Sequence, residues 1–250
     1  MNEVETLENK YVLSVIANVQ TKLQHAQKLE VDTSKCEELI NESRGALNRK
    51  DYENAFNLAN KCAEEITSLQ YKKVSEALVT AQNIMADAQQ IGADLNKARG
   101  LLKNARTALE GNDFATALNL ARESAKESEN AQIAIAKDTL DSAEVLIAEA
   151  EALGVDLGSV KSKLEAAKEA LLSKNYIKAV ELANECISSS DSMQENLVAT
   201  KINEAQESIS DAEKIRAQVK FAHEMLDNAK KLLEARDFSN ALVSALKAIE

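Results

Sequence analysis

The chain has 250 residues, a formal net charge of -11, no proline, no tryptophan and only 6 glycines. Average usage would supply roughly a dozen prolines, so a collagen, a flexible linker and a turn-rich β-sandwich are excluded. The 45% hydrophobic content is too high for simple disorder, and no apolar run approaches the ~18 residues of a membrane span.

The first predicted helix carries Val12, Ile16, Val19, Leu23, Ala26 and Leu29, an apolar stripe near period 3.5. Asp32 is predicted to cap the start of a second helix, with Val31 and Cys36 as the hydrophobic staple around it. That helix is expected to run roughly 17 residues before a short turn. Asp51 then caps a third helix, which opens on Tyr52. Between Tyr52 and Ile91 there is neither Gly nor Pro, which predicts one unbroken helix of roughly 40 residues, about 60 Å long. Gly92 suits the left-handed residue that ends it, and Asp94 caps the next helix.

The same order then recurs. Asp51-Tyr52-x-x-Ala55 is followed by Asp113-Phe114-x-x-Ala117, Asn175-Tyr176-x-x-Ala179 and Asp237-Phe238-x-x-Ala241, each 62 residues after the last. Gly154 and Asp156 take the places of Gly92 and Asp94. In the fourth copy the capping position holds Gln218, which predicts a less well-defined corner there. The expectation is an all-α protein of four tandem three-helix repeats, 3–64, 65–126, 127–188 and 189–250, joined by long continuous helices as an elongated rod or α-solenoid. Within each long helix the apolar stripe slips. Ala179, Ala183, Cys186, Ser190 and Met193 are followed by Val198, one residue late, which turns the apolar face by roughly 100°.

A string of three-helix bundles sharing helices resembles the spectrin-type array in topology, with a shorter repeat. The stretch LEAAKEALLSKNYIKAVELANECI resembles a tetratricopeptide helix pair, with Ala167, Tyr176, Ala179 and Ala183 at small and aromatic packing positions. The 62-residue period, against ~34 in that family, and the missing Trp and Pro depart from it. Neither resemblance carries a functional residue across.

Residues with chemical potential are sparse. His25 and His223 fall on columns shared with charged residues and read as surface side chains. Cys36, Cys62 and Cys186 share columns with Ala, Ser and Val and read as small core fillers in a reducing compartment. No nucleotide-binding, zinc-protease, calcium-loop or serine-hydrolase motif occurs. Catalytic, cofactor-binding and metal residues are therefore not expected, and the chain is read as a non-enzyme without a cofactor.

By repeat the net charge is -3, +1, -6 and -3, and the acids are read as solvated faces that pair across helices. The overall acidity argues against a nucleic-acid partner, and no helix is expected to insert in a membrane. The predicted function is a structural spacer or scaffold; the alternative is an adaptor presenting helix faces to a partner protein or peptide, or to flanking domains of a longer chain. With Met1 as the native start, the lack of a basic and apolar leader points to the cytoplasm. A fragment of a longer repeat protein would allow a surface or extracellular place.

Overall fold

The computed structural model describes residues 3–250. Those residues are all-helical: α1 Glu3–Lys28, α2 Ser34–Asn48, α3 Tyr52–Gln90, α4 Asn96–Glu110, α5 Phe114–Ala152, α6 Gly158–Leu172, α7 Tyr176–Lys214, α8 Lys220–Glu234 and α9 Phe238–Ile249. The helices α2, α4, α6 and α8 each have 15 residues, two short of the sequence expectation. The helices α3, α5 and α7 each have 39 residues, unbroken, as the stretches without Gly or Pro require. No described helix is long and apolar enough to cross a membrane.

The chain divides into two compact units. The first comprises Met1–Gln90 and Asp94–Ala131, the second Ile91–Ala93 and Gln132–Glu250. In the first unit, α1 supplies Val12, Ile16, Val19 and Leu23 to a core that α2 completes with Cys36 and Ile40, and α3 with Ala55, Ala59, Cys62 and Ile66. Alanine at closely packed positions lets helix backbones approach, and polar side chains exploit that approach. Ser43 Oγ donates to the Ala55 carbonyl (2.6 Å), Cys62 Sγ to the Cys36 carbonyl (3.3 Å) and Ser124 Oγ to the Ala98 carbonyl (2.8 Å). Each bond satisfies a buried donor across two helices.

The second unit is built in the same manner. One core gathers Leu140, Ala143 and Ile147 of α5, Val160 and Leu164 of α6, and Ala183 and Cys186 of α7. Another gathers Val198, Ile202 and Ile209 of α7, Leu226 and Ala229 of α8, and Phe238 and Ala241 of α9. The two halves of α7 thus belong to different cores. From Ala183 onward its buried positions run Ala183, Cys186, Ser190, Gln194, Val198, Ile202, Ala205 and Ile209.

This corrects the expected slip. Met193 is only half-buried, and Gln194 is the buried residue. From Cys186 to Ile202 every step is four residues. Each such step turns the buried face by about 40°, so the change of partners is spread over several turns instead of one abrupt offset. A rigid helix can serve two neighbouring cores only if its buried line winds around it.

Candidate functional site

The repeated turns are the most specialised places in the chain, because backbone geometry and side-chain chemistry both recur there. Gly92 and Gly154 have φ of +79° and +84°, as expected of left-handed C-caps. The same conformation occurs where no glycine marks it: Glu30 and Arg216 on that column, and Lys50, Asn112, Lys174 and Arg236 on a second. The hydrogen bonds explain why side chains are tolerated. Lys50 N–H donates to the Leu47 carbonyl (2.9 Å) and Asp51 N–H to the Ala46 carbonyl (3.0 Å). Asn112 and Asp113, Lys174 and Asn175, and Arg236 and Asp237 repeat the pair. This is the Schellman arrangement, which satisfies the last carbonyls of a helix and offsets the cost of a Cβ in the left-handed region. The second column escaped sequence reasoning because Lys50, Lys174 and Arg236 carry no conformational signature, and Asn112 alone suits the left-handed region.

After that turn Asp51, Asp113, Asn175 and Asp237 act as N-caps. Their side-chain oxygens accept from the backbone N–H three residues on, at Asn54, Thr116, Lys178 and Asn240, at 3.1–3.3 Å. Asp32, Asp94 and Asp156 accept from the N–H two residues on, at Ser34, Asn96 and Gly158. The first backbone bonds of these helices, however, go to Thr33, Leu95 and Leu157, so each aspartate stands one residue outside the backbone cap. Val31 and Val155 pack against the cores that contain Cys36 and Val160, as the expected staple requires, and the apolar residue after the aspartate, Leu95 or Leu157, is buried as well.

The aromatics that open the long helices pack in two ways. Tyr176 and Phe238 are buried, while Tyr52 and Phe114 are half-buried. Tyr176 joins Ala136, Ala179 and Val180, and Ile91 of the Gly92 turn packs against them. Leu153 of the Gly154 turn packs likewise against the core containing Phe238. The residue that ends one long helix therefore rests on the core around a later aromatic.

Each α1/α2-type turn is also spanned by a polar pair drawn from the same two columns. Gln27 Nε2 donates to Glu37 Oε1 (2.9 Å), and Arg99 donates to Gln89 Oε1 (3.1 Å). Lys161 pairs with Glu151, and His223 Nε2 lies 2.9 Å from Glu213 Oε1. Four different chemistries occupy one geometry, and His223 is the member of that column in the last turn. His25 is exposed, beside a groove lined by Lys22, Leu29, Gln70 and Phe114.

Cys36, Cys62 and Cys186 are buried free thiols. Burial, reinforced by the neighbouring Cys36, pushes the Cys62 thiol up to about 12. Burial also raises Cys36 and Cys186. A thiolate, the reactive form, is disfavoured at all three. Among the described residues no three His, Cys, Asp or Glu side chains are placed to hold a metal ion. The acids of the third charge segment do not all face solvent unpaired. Glu144 pairs with Lys168 (2.9 Å) and Glu185 with Lys163 (2.8 Å).

Sequence reasoning missed one further column. Gln70, Gln132 and Gln194 are buried in the middle of α3, α5 and α7, 62 residues apart. Gln194 Nε2 donates to the Leu146 carbonyl of α5 (3.5 Å). A long amide side chain suits a place where the helix changes cores, because it reaches a backbone acceptor while its methylenes pack. Identity of all three residues at one offset was the available signal. No protein family, curated protein or solved structure matches the chain.

Proposed function

We propose that the chain is a non-catalytic structural spacer or scaffold, made of four tandem 62-residue three-helix repeats, 3–64, 65–126, 127–188 and 189–250, that share their long helices and extend as a rod. The observation that carries this reading is α7, a single 39-residue helix whose first half packs in one core and whose second half packs in the next. A shared rigid helix transmits position from bundle to bundle, whereas a flexible linker would not. The recurrent turns support the reading, since eight left-handed residues fall on two columns, the members of each spaced 62 residues apart. A side chain of every α1/α2-type turn is tied down as well.

Small-angle scattering tests it. Each repeat would advance on the order of 35 Å, the difference between a long helix and the returning short one, for a rod of ~140 Å. A maximum dimension well under ~100 Å for the monomer would overturn the rod.

A further inference from the structure

We propose that the first joint, where the end of α1, the middle of α3 and the start of α5 meet, binds a small organic monocarboxylate with an apolar body. The site lies wholly within the first compact unit and is independent of the rod.

The third joint carries the same columns two repeats later, wholly within the second unit. There Arg236 pairs with Asp191, and its guanidinium lies 5.5 Å from the centre of the Phe238 ring. Arg236 thus straps that joint and covers the ring. Gln194 Nε2 donates to the Leu146 carbonyl (3.5 Å), and Leu153 packs against the core of Phe238, which is buried.

At the first joint these positions hold different side chains. Thr67 replaces Asp191 and Asn112 replaces Arg236, so the ion pair cannot form. Asn112 is also too short to reach over a ring as Arg236 does. Phe114, in place of Phe238, is only half-buried, and so is Leu29. What remains is a groove of ≈ 500 Å³ lined by Leu29, Gln70 and Phe114. That volume falls in the range of small-molecule pockets.

The polar groups of this groove are unspent. Gln70 is only 7% exposed, yet its amide makes no hydrogen bond to any described residue, in contrast to Gln194. A buried amide without a partner is costly, and a ligand that bonds to it recovers that cost. Lys22 stands where the third joint has Leu146, and His25 where it has Glu149. Both line the groove, and neither forms an ion pair with a described residue. An apolar group and an acid have thus become two basic side chains, in a chain of net charge -11. Asp113, the acid among the lining residues, accepts from the Thr116 N–H (3.1 Å) as the cap of α5. A ligand carboxylate would accept from the Lys22 ammonium and from Gln70 Nε2, while Phe114 and Leu29 cover its hydrocarbon.

Titration of the full chain with 3-phenylpropanoate, followed by nitrogen-15 NMR, tests the site. The side-chain amide signals of Gln70 should move and saturate with a Kd of about 0.1–1 mM. Acetate, which lacks the apolar body, and 3-phenylpropanamide, which lacks the charge, should each bind roughly tenfold more weakly or less. Lys22→Met, at an exposed position, should weaken 3-phenylpropanoate roughly tenfold. Thr67→Asp with Asn112→Arg, both exposed positions, rebuilds the strap of the third joint. That pair should abolish binding with helicity unchanged by circular dichroism. No movement of the Gln70 signals up to about 10 mM 3-phenylpropanoate overturns the proposal. So does equally tight binding of acetate or of the amide, or a strapped variant that binds as the parent does. Small-angle scattering of the free chain reads the rod separately, so either reading can fail alone.

Discussion

The turn at Glu30–Ser34 and the turn at Arg216–Lys220 share a backbone and differ in nearly every side chain. Both have a left-handed residue, with φ of 59° at Glu30 and 62° at Arg216. Both make the same pair of backbone bonds, Glu30 to Gln27 and Val31 to Ala26 in one, Arg216 to Glu213 and Ala217 to Ala212 in the other. The first adds Asp32, which accepts from the hydroxyl (2.7 Å) and the N–H (3.1 Å) of Ser34, and a Gln27–Thr33–Glu37 cluster. The last has Gln218 in place of the aspartate and the His223–Glu213 clamp. The weaker definition expected at Gln218 is absent from the backbone: α8 starts at Lys220, in register with the others. Local capping tunes such a turn; the helices packed on either side dictate it.

The largest effect should come from breaking a long helix instead of a turn. Lys73→Pro removes a backbone donor in the middle of α3 and should cost about 3 kcal/mol or more. Thermal melts should become broader or split into two transitions. One sharp melt identical to the parent's would mean that α3 does not couple the bundles on either side.

Changes in the left-handed residue come next. Gly154→Ala should destabilise by about 1 kcal/mol, since alanine pays for its Cβ at φ +84°. Arg216→Gly should do the reverse, raising stability by about 0.5–1 kcal/mol in urea titrations. Equal responses at the two sites would show that backbone conformation is not what distinguishes them.

The capping difference can be erased directly. Gln218→Asp should stabilise by about 0.5 kcal/mol by supplying the oxygen that Asp32 supplies in the first turn. Asp32→Ala should lower the melting temperature, leaving the first turn on its backbone bonds alone.

The smallest effect is in pH. Hydrogen bonds from the hydroxyl and the N–H of Thr116 hold the Asp113 carboxyl below its usual range, and Ser34 does the same for Asp32. A depressed folded pKa contributes stability that is present above the unfolded value, near 3.9, and is lost as pH falls through the lower folded value. Asn175 occupies the equivalent cap with a neutral amide and does not titrate. Asp113→Asn should therefore leave stability at neutral pH nearly unchanged and flatten its decline below about pH 4. An unaltered acid limb in denaturant melts would remove Asp113 from the acid response.

Much of the helical plan was legible because its causes are local. A stretch such as Tyr176–Ile215 contains no Gly or Pro to stop a helix, Asn175 suits the start of one, and Gly154 marks a left-handed end. These preferences act within one turn of the chain and need no distant partner. The turns at Lys50 and Arg236 were not legible, because packing on both flanking helices forces lysine and arginine into a conformation their own chemistry disfavours. The line of burial along α7 was equally hidden. Whether Met193 or Gln194 faces inward depends on two cores that meet at that helix, and a buried glutamine is tolerable only where a carbonyl such as that of Leu146 lies within reach. Sequence alone determined the all-helical class and the unbroken course of the long helices, since those follow from propensity and punctuation. Only the tertiary structure decided which side of each helix is covered, and by what, because burial is a property of neighbours and not of the residue itself.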